Sequence, residues 1–392
     1  MTRKTKTGPD LASKLDLNEK DLLRMVICGS VDDGKSTLIG RLLWERGFLY
    51  ADQKEALESD SLLYGTQGSE LDFALLTDGL SAEREQGITI DVAYRFFTTE
   101  KRRFIVVDAP GHEEYTRNMV TGASNADLVV LLVDITKGLS SQTRRHALLA
   151  SLIGVKHIVL AINKIDLVSF RQKRYKLVCS EFEEFLSELN FSSVTSIPIS
   201  ALKGDNIESR SKNVFWYDGP SLMEYLEHFK LDSSADIKLR LPIQWVNRRS
   251  EDFRGFSGTL LSGSLSVGDN LISTNSSQFG EVGQIITPDG SVNKAKAGTP
   301  VTIRLTSEID LSRGDMLTHA SELSCTSDQF EATMFWLAED EGLQGRTYDF
   351  KIATQRVSVS ITKIKYLIDV NNLSHIHGDS LSLNDVAVCN IA

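Results

Sequence analysis

Residues 29 to 36 read GSVDDGKS, directly after the apolar run LLRMVIC and before a segment with helical apolar spacing. A glycine, four residues and then Gly34-Lys35-Ser36 between a strand and a helix leave few folds open. The glycines let the backbone wrap inward, so that successive N–H groups and a helix N-terminus face one point. Such a loop holds phosphate. Lys35 is expected to reach the β- and γ-phosphates of a nucleotide and Ser36 to ligate Mg²⁺.

The rest of the first half suits that loop. From about residue 22 to 230, short apolar runs alternate with helix-period segments, the pattern of a mostly parallel sheet with helices on both faces. LLRMVIC, RFIVVD, DLVVLLVD, HIVLAIN and VTSIPIS read as strands, each ending in polar or glycine-containing residues where an open α/β sheet places its ligand crevice. Between them, Leu148, Leu149 and Leu152 mark one helix that Gly154 closes, and Phe182, Phe185, Leu186 and Leu189 mark another. Both stripes are expected to face the core.

At 392 residues the chain exceeds one ordinary core. KLDSSADIK reads as a linker, after which helical periods nearly vanish and short strands alternate with Gly, Ser, Asn and Asp turns. A second shift near residues 322–329 opens another β stretch, where Val357, Val359 and Ile361 alternate and then slip phase at Ile364, Tyr366 and Ile368, the mark of a bulge. The expected architecture is an N-terminal tail (1–21), a nucleotide-binding α/β domain (22–232), a first β-barrel domain (233–325) and a second, incomplete one (326–392).

Composition removes several alternatives. With 53 acidic against 43 basic residues the net charge is −10, so no global basic footprint draws nucleic acid. Cys28, Cys179, Cys325 and Cys389 form no C-x-x-C pair, which points to a reducing compartment and no structural zinc. The basic N-terminal stretch lacks the apolar centre of a signal peptide, and no segment is apolar for long enough to span a bilayer. His375 and His377 share one strand face, but no third ligand accompanies them, so they read as surface or turn residues.

Further motifs follow in a fixed order. Asp108-Ala-Pro-Gly111 ends the run RFIVV, with Asp108 placed for the Mg²⁺ shell and Gly111 offering an unobstructed N–H to a γ-phosphate. Asn163-Lys164-Ile165-Asp166 follows HIVLAI; a carboxylate there accepts both the N1–H and the 2-amino group of guanine, whereas adenine would leave it buried and unpaired. Ser200-Ala201-Leu202 can supply a backbone N–H to guanine O6.

Together these residues resemble the GTP-binding domain of translation-factor-class P-loop GTPases, and that resemblance implies two β-barrels after it. EREQGITI resembles the first switch segment, in which Thr89 would complete the Mg²⁺ coordination. His112 stands where the family keeps the histidine that orients attacking water, and Val31 and Ile88 match its two apolar flanks. Asp32 matches an aspartate linked in relatives to a monovalent cation beside the nucleotide; its other reading is a turn residue capping a backbone N–H. The implied nucleotide set is Gly29, Val31, Asp32, Asp33, Gly34, Lys35, Ser36, Thr37, Asp108, Gly111, Asn163, Lys164, Asp166, Ser200, Ala201 and Leu202, with Lys35, Thr89 and His112 carrying the chemistry and Ser36, Thr89 and Asp108 holding the metal. Asp33 has no role on this reading.

The variant VDDGKST resembles, more narrowly, the large regulatory GTPase subunit of sulfate adenylyltransferase. So do GTQGSELDFALLTDGLSAEREQGITIDVAYRFF, DAPGHEEYTRNMVTGASNADL and RTYDFKIATQRV. In that family the GTPase pairs with a small catalytic subunit, as a heterodimer or higher assembly, that makes adenylyl sulfate and pyrophosphate from ATP and sulfate. Separately, the cysteine pattern and the lack of signal-peptide and membrane-spanning segments set the expectation of a cytoplasmic protein. The resemblance implies GTP and Mg²⁺ as cofactors and neither nucleic acid nor membrane as partner. The family usually continues past Ala392, so part of the third domain is expected to lie outside this sequence; some relatives carry a fused adenylyl-sulfate kinase domain there, which is not expected here. With no internal arginine finger identifiable, intrinsic hydrolysis is expected to be slow. The alternative, an elongation-factor-like carrier of aminoacyl-tRNA, shares the whole nucleotide site.

Overall fold

A computed structural model describes residues 21–47, 51–64, 71–76, 89–231, 237–250, 253–322 and 324–392. The chain divides into two compact units, Met1–Leu231 with Asp369–Ser374, and Asp232–Ile368 with His375–Ala392. In the first, the strands β1 (Leu22–Gly29), β2 (Ala93–Thr98), β3 (Arg103–Asp108), β4 (Leu128–Asp134), β5 (His157–Asn163) and β6 (Ser193–Pro198) form one six-stranded sheet. Its order is β2-β3-β1-β4-β5-β6, parallel throughout except for β2, which runs against β3. All seven residues of β4 are buried. That is the burial of a parallel strand covered on both faces, and it is why the run shows no alternation.

Five of these strands coincide with the apolar runs. The sixth, β2, is an edge strand whose Tyr94 and Phe96 are exposed while Phe97 is buried. Its polar interruptions and half-solvated face hid it. On β3, Phe104 stacks on Phe97 at 4.7 Å between ring centroids and is 1 % exposed.

The helices are α1 (Lys35–Glu45), α2 (Ala51–Tyr64), α3 (Thr116–Ala123), α4 (Ser141–Ile153), α5 (Gln172–Leu186) and α6 (Leu222–His228). Ser140 Oγ accepts the Thr143 N–H at 3.0 Å to open α4, and Gly154, at φ 97°, closes it in the left-handed region. Leu148 and Leu149 face the core as expected, but Leu152 is 41 % exposed. The covered face is centred on Thr143, His146, Ala147 and Ala150, and at 3.6 residues per turn Leu152 lies about half a turn from it. On α5, Phe182, Phe185 and Leu186 are buried, whereas Leu189 lies beyond the helix end and is half-buried.

The described part of the second unit carries no α-helix. An eight-stranded antiparallel sheet includes Phe253–Thr259, Phe279–Thr287 and Pro300–Leu305 around a core of Leu271, Val282, Ile285 and Ile303. A further five-stranded sheet runs Phe330–Phe335, Val386–Ile391, Gln355–Ile368, Thr347–Ile352, with His375–Ile376 beside Gln355–Ile368. The phase slip appears as two register shifts in this long strand, at Ile361/Lys363 and Ile364/Tyr366. His377 is 86 % exposed and His375 stacks on Tyr366 at 3.7 Å. Most of the anticipated linker, 232–236, lies outside the described residues. No helix among the described residues is long and apolar enough to cross a membrane, which says nothing of strands.

Because Phe104 joins the edge of the sheet to the core of the first unit, Phe104→Ala is expected to cost about 3–5 kcal/mol. Urea unfolding of the two proteins, read at the first unit's transition, checks it; a loss below about 1 kcal/mol would show that the stack does not anchor β2.

Candidate functional site

β1 lies between β3 and β4, so the loops leaving β1, β3, β4 and β5 emerge along one carboxyl edge. The loop after β1 is held by its own unusual residues. Gly29, Asp32 and Gly34 have φ of 152°, 67° and 93°, and a Cβ on Gly29 would lie 2.7 Å from Leu132 O. Asp33 is buried and accepts the Ser30 N–H at 2.7 Å across the turn. The cap considered for Asp32 therefore belongs to Asp33, while Asp32 is exposed in the left-handed region. Burial pushes the Asp33 carboxyl up to about 6 against the opposing pull of Lys35.

Lys35 is buried and donates to the carbonyls of Ser30, at 2.8 Å, and Gly29, at 3.3 Å. Burial lowers its pKa, and the negative charges of Asp108 and Asp33 oppose that fall. The turn after β3 closes over it: a Cβ on Gly111 would sit 2.4 Å from Lys35 Nζ and 2.8 Å from Gly29 O. Only a glycine lets the backbone come this close. Asp108 ends β3 with 2 % exposure, in register with Ile27 of β1. His112 follows as the cap of a 3₁₀ turn, Glu113–Tyr115, its Nδ1 accepting the Glu114 N–H at 3.4 Å. Thr89 is half-buried outside any regular element, and the carbonyl of Ile90 after it accepts Asn118 Nδ2 at 2.8 Å. Residues 83–88 of the switch-like segment, including Ile88, lie outside the described residues. Ser36 and Thr37 are half-buried in the first turn of α1, and Val31 is half-buried in the loop.

The third part of the site turns on Asn163. Its Nδ2 donates to Asp33 O at 2.7 Å, and its Oδ1 accepts the Ala201 N–H at 2.8 Å. One buried amide thus ties the β1 loop to the Ser200 segment. Gly34 makes room, since a Cβ there would lie 2.5 Å from Asn163 Nδ2. Lys164, left-handed at φ 61°, pairs with Asp134 Oδ2 at 2.8 Å. Hydrogen bonds from Lys164 and Thr136 lower the Asp134 pKa despite burial, which works the other way. Asp166 lies half-buried in the 3₁₀ turn Ile165–Val168. In the Ser200 segment the Ser200 N–H goes to Asp205 O at 3.1 Å, and Arg41 of α1 donates to the carbonyls of Ala201 and Leu202.

The geometry thus brings together the β1 loop, Asp108, Gly111, Asn163, Lys164 and the Ser200 segment. It adds Arg41 and Asp134, which sequence reasoning missed. Asp134 carried a signal, being a carboxylate at the end of a fully apolar run. Arg41 carried none, since an arginine on a helix is ordinarily a surface residue.

Removing the amide by Asn163→Ala strands a buried acceptor and a buried donor, at about 1–3 kcal/mol each. A loss of roughly 2–6 kcal/mol is expected in urea unfolding, with weakened guanine-nucleotide binding; unchanged values for both would refute the tie. The raised Asp33 pKa means that the folded chain keeps a proton which the unfolded chain gives up. That contribution to stability is fully present below the ordinary carboxylate range and lost as pH rises through about 6. The stability of wild type relative to Asp33→Asn should therefore fall between about pH 4 and 6. A flat difference across a pH series of urea melts would overturn this.

A family model of the elongation factor Tu GTP binding domain matches residues 20–241, and one described as GTP-eEF1A C-terminal domain-like matches residues 329–392. The bifunctional enzyme NodQ of Rhizobium sp. (strain N33) is 49 % identical over 95 % of this chain and 58 % of its own length. Sulfate adenylyltransferase subunit 1 of Saccharophagus degradans is 48 % identical over 95 % of this chain and 80 % of its own. The subunit 1 of Francisella tularensis subsp. novicida is 46 % identical over 94 % and 78 %. The chain thus spans under two thirds of the NodQ protein but most of the subunit 1 proteins. Matched across both of its units, this chain belongs to the sulfate adenylyltransferase subunit 1 family of GTPases with an elongation-factor-Tu-type GTP binding domain.

Proposed function

We propose that this chain is the GTPase subunit of a sulfate adenylyltransferase, coupling GTP hydrolysis to the formation of adenylyl sulfate and pyrophosphate from ATP and sulfate by a small catalytic partner subunit. The observation that carries it is the extent of the match: 48 % identity over 95 % of the chain takes in the second unit as well as the nucleotide site. Delivery of aminoacyl-tRNA is not favoured, since that reading rests on the nucleotide site alone. The proposed domain limits are 22–232 for GTP binding and 233–325 and 326–392 for two β-barrels. A cytoplasmic setting suits the four unpaired cysteines.

Each residue then has a task. The Gly29–Thr37 loop and Lys35 hold the phosphates, with Asp33 bracing the turn from behind. Exposed Asp32 offers a carboxylate to a monovalent cation beside the nucleotide. Asp166 pairs with the guanine edge, and the Leu202 N–H is the donor assigned to O6, since those of Ser200 and Ala201 are committed elsewhere. His112 orients the attacking water. Ser36, Thr89 and Asp108 would hold Mg²⁺: two hydroxyls and a carboxylate are the hard oxygen donors it takes. When bound, the ion supplies positive charge to the β- and γ-phosphate oxygens. With one carboxylate in that set, it differs from an all-protein metal cage, and no group of three His, Cys, Asp or Glu suited to a metal occurs among the described residues.

Coupling requires the partner's reaction states to bind the GTP and GDP forms differently, because equal binding shifts nothing. The decisive experiment measures pyrophosphate release from ATP and GTP hydrolysis together, for this chain with its small subunit, with and without sulfate. GTP should raise sulfate-dependent pyrophosphate release, and ATP plus sulfate should raise GTP hydrolysis; a stable complex in which neither rate responds would sink the coupling. For the base, Asp166→Asn should weaken GTP binding by on the order of 10³-fold and favour xanthosine triphosphate, whose 2-oxygen accepts from an amide where guanine donates. Unchanged GTP affinity would remove Asp166 from the guanine site.

A further inference from the structure

Outside the nucleotide contacts, a line of polar side chains runs from the His112 turn into the body of the first unit. Glu113, the residue after His112, is 58 % exposed, and its Oε1 meets Arg145 NH1 of α4 at 2.7 Å. Arg145 is only 13 % exposed, and the same NH1 donates to Gln142 Oε1 at 3.0 Å. That bond fixes the Gln142 amide, so its Nε2 donates to Nε2 of His146 at 2.8 Å. His146 is fully buried. With Nε2 accepting, its proton sits on Nδ1, which is buried with no hydrogen-bond partner. Burial, with the positive charges of Lys35 and Arg145, pushes the His146 pKa down to about 3, so the ring is neutral.

The gradient of burial gives this line a direction. His146 and Gln142 belong to a capped helix packed on the sheet, and they orient Arg145 from within. Glu113 belongs to a three-residue turn that also carries short-range hydrogen bonds: Thr116 Oγ1 to Glu113 O at 2.6 Å, and the Glu114 N–H to His112 Nδ1 at 3.4 Å. The anchored end therefore sets the position of the other. An exposed ion pair contributes little, but an arginine this enclosed is ordered before it binds its carboxylate, and less side-chain freedom is lost in the pairing.

Resting on the GTPase reading above, we propose that Arg145 is a positioning residue for hydrolysis: through Glu113 it holds the turn that carries His112. It touches neither nucleotide nor water, and acts on where the imidazole stands. Misplacement of a group by about 1 Å is enough to cost up to 10²-fold in rate while leaving phosphate and base contacts intact. The effect belongs in kcat and spares binding.

The test uses the full chain and single-turnover GTP hydrolysis beside GTP and GDP affinities. Glu113→Gln, at an exposed position where folding is not at risk, and Arg145→Ala should each slow hydrolysis about tenfold with affinities unchanged within about twofold. The double variant should be no slower than either single one, and Arg145→Lys should recover part of the rate. The ring signal of His112 in ¹H–¹³C spectra should shift alike in both single variants, a readout that a general loss of packing at α4 would not single out. Additive losses, a fall confined to GTP affinity, or an unmoved His112 signal would each overturn the inference. An inert wild type would overturn the GTPase reading and this inference with it, whereas an active wild type whose rate is the same in both variants would overturn the inference alone.

Discussion

The nucleotide site depends on one side-chain amide. Asn163 donates to the carbonyl of Asp33 and accepts from the backbone of Ala201, and with 2 % exposure neither bond has water to replace it. On the proposed reading, phosphate is held by the loop after β1 and the base by the loops after β5 and β6, and β1 and β6 are not adjacent in the sheet. The amide sets the spacing between them. Arg41 reinforces it from α1 by gripping the carbonyls of Ala201 and Leu202, so the helix that starts at the phosphate loop also fastens the base loop.

The same economy governs the charges. A loop meant for phosphate holds two aspartates, and the structure assigns them opposite places: Asp33 turns inward and secures the Ser30 N–H, while Asp32 faces solvent. The inward carboxylate lies under a lysine that is itself buried, and each opposes the other's shift. Gly111 and Gly34 matter for what they lack, since a side chain on either would collide with Lys35 Nζ or Asn163 Nδ2. The turn after β3 can close on the Lys35 ammonium, and the β1 loop on the Asn163 amide, because neither carries a Cβ at the point of contact.

Legibility in the sequence followed the range of the forces involved. The parallel strands stood out because burial on both faces demands unbroken apolar runs, and β4 meets that demand at every position. The loop glycines and the Asn163 and Asp166 pattern stood out because a fixed backbone path and a fixed hydrogen-bonding edge admit few residue types. By contrast β2, half-solvated at the sheet's edge, left only a weak alternation. Leu152 looked like core because spacing within α4 cannot say which side of the helix the sheet covers.

By itself the sequence determined five of the six strands of the first sheet, the phosphate loop and its partner motifs, and the family to which they belong. These are properties of short segments, set by periodicity, by glycine's freedom and by the chemistry of a guanine edge. Tertiary structure alone decided that Asn163 joins two loops and that Arg145 reaches Glu113. Those pairings link residues 130, 38 and 32 positions apart along the chain for Asn163 with Asp33, Asn163 with Ala201 and Arg145 with Glu113. No local pattern encodes them, because their geometry exists only once the sheet has brought its carboxyl edge together.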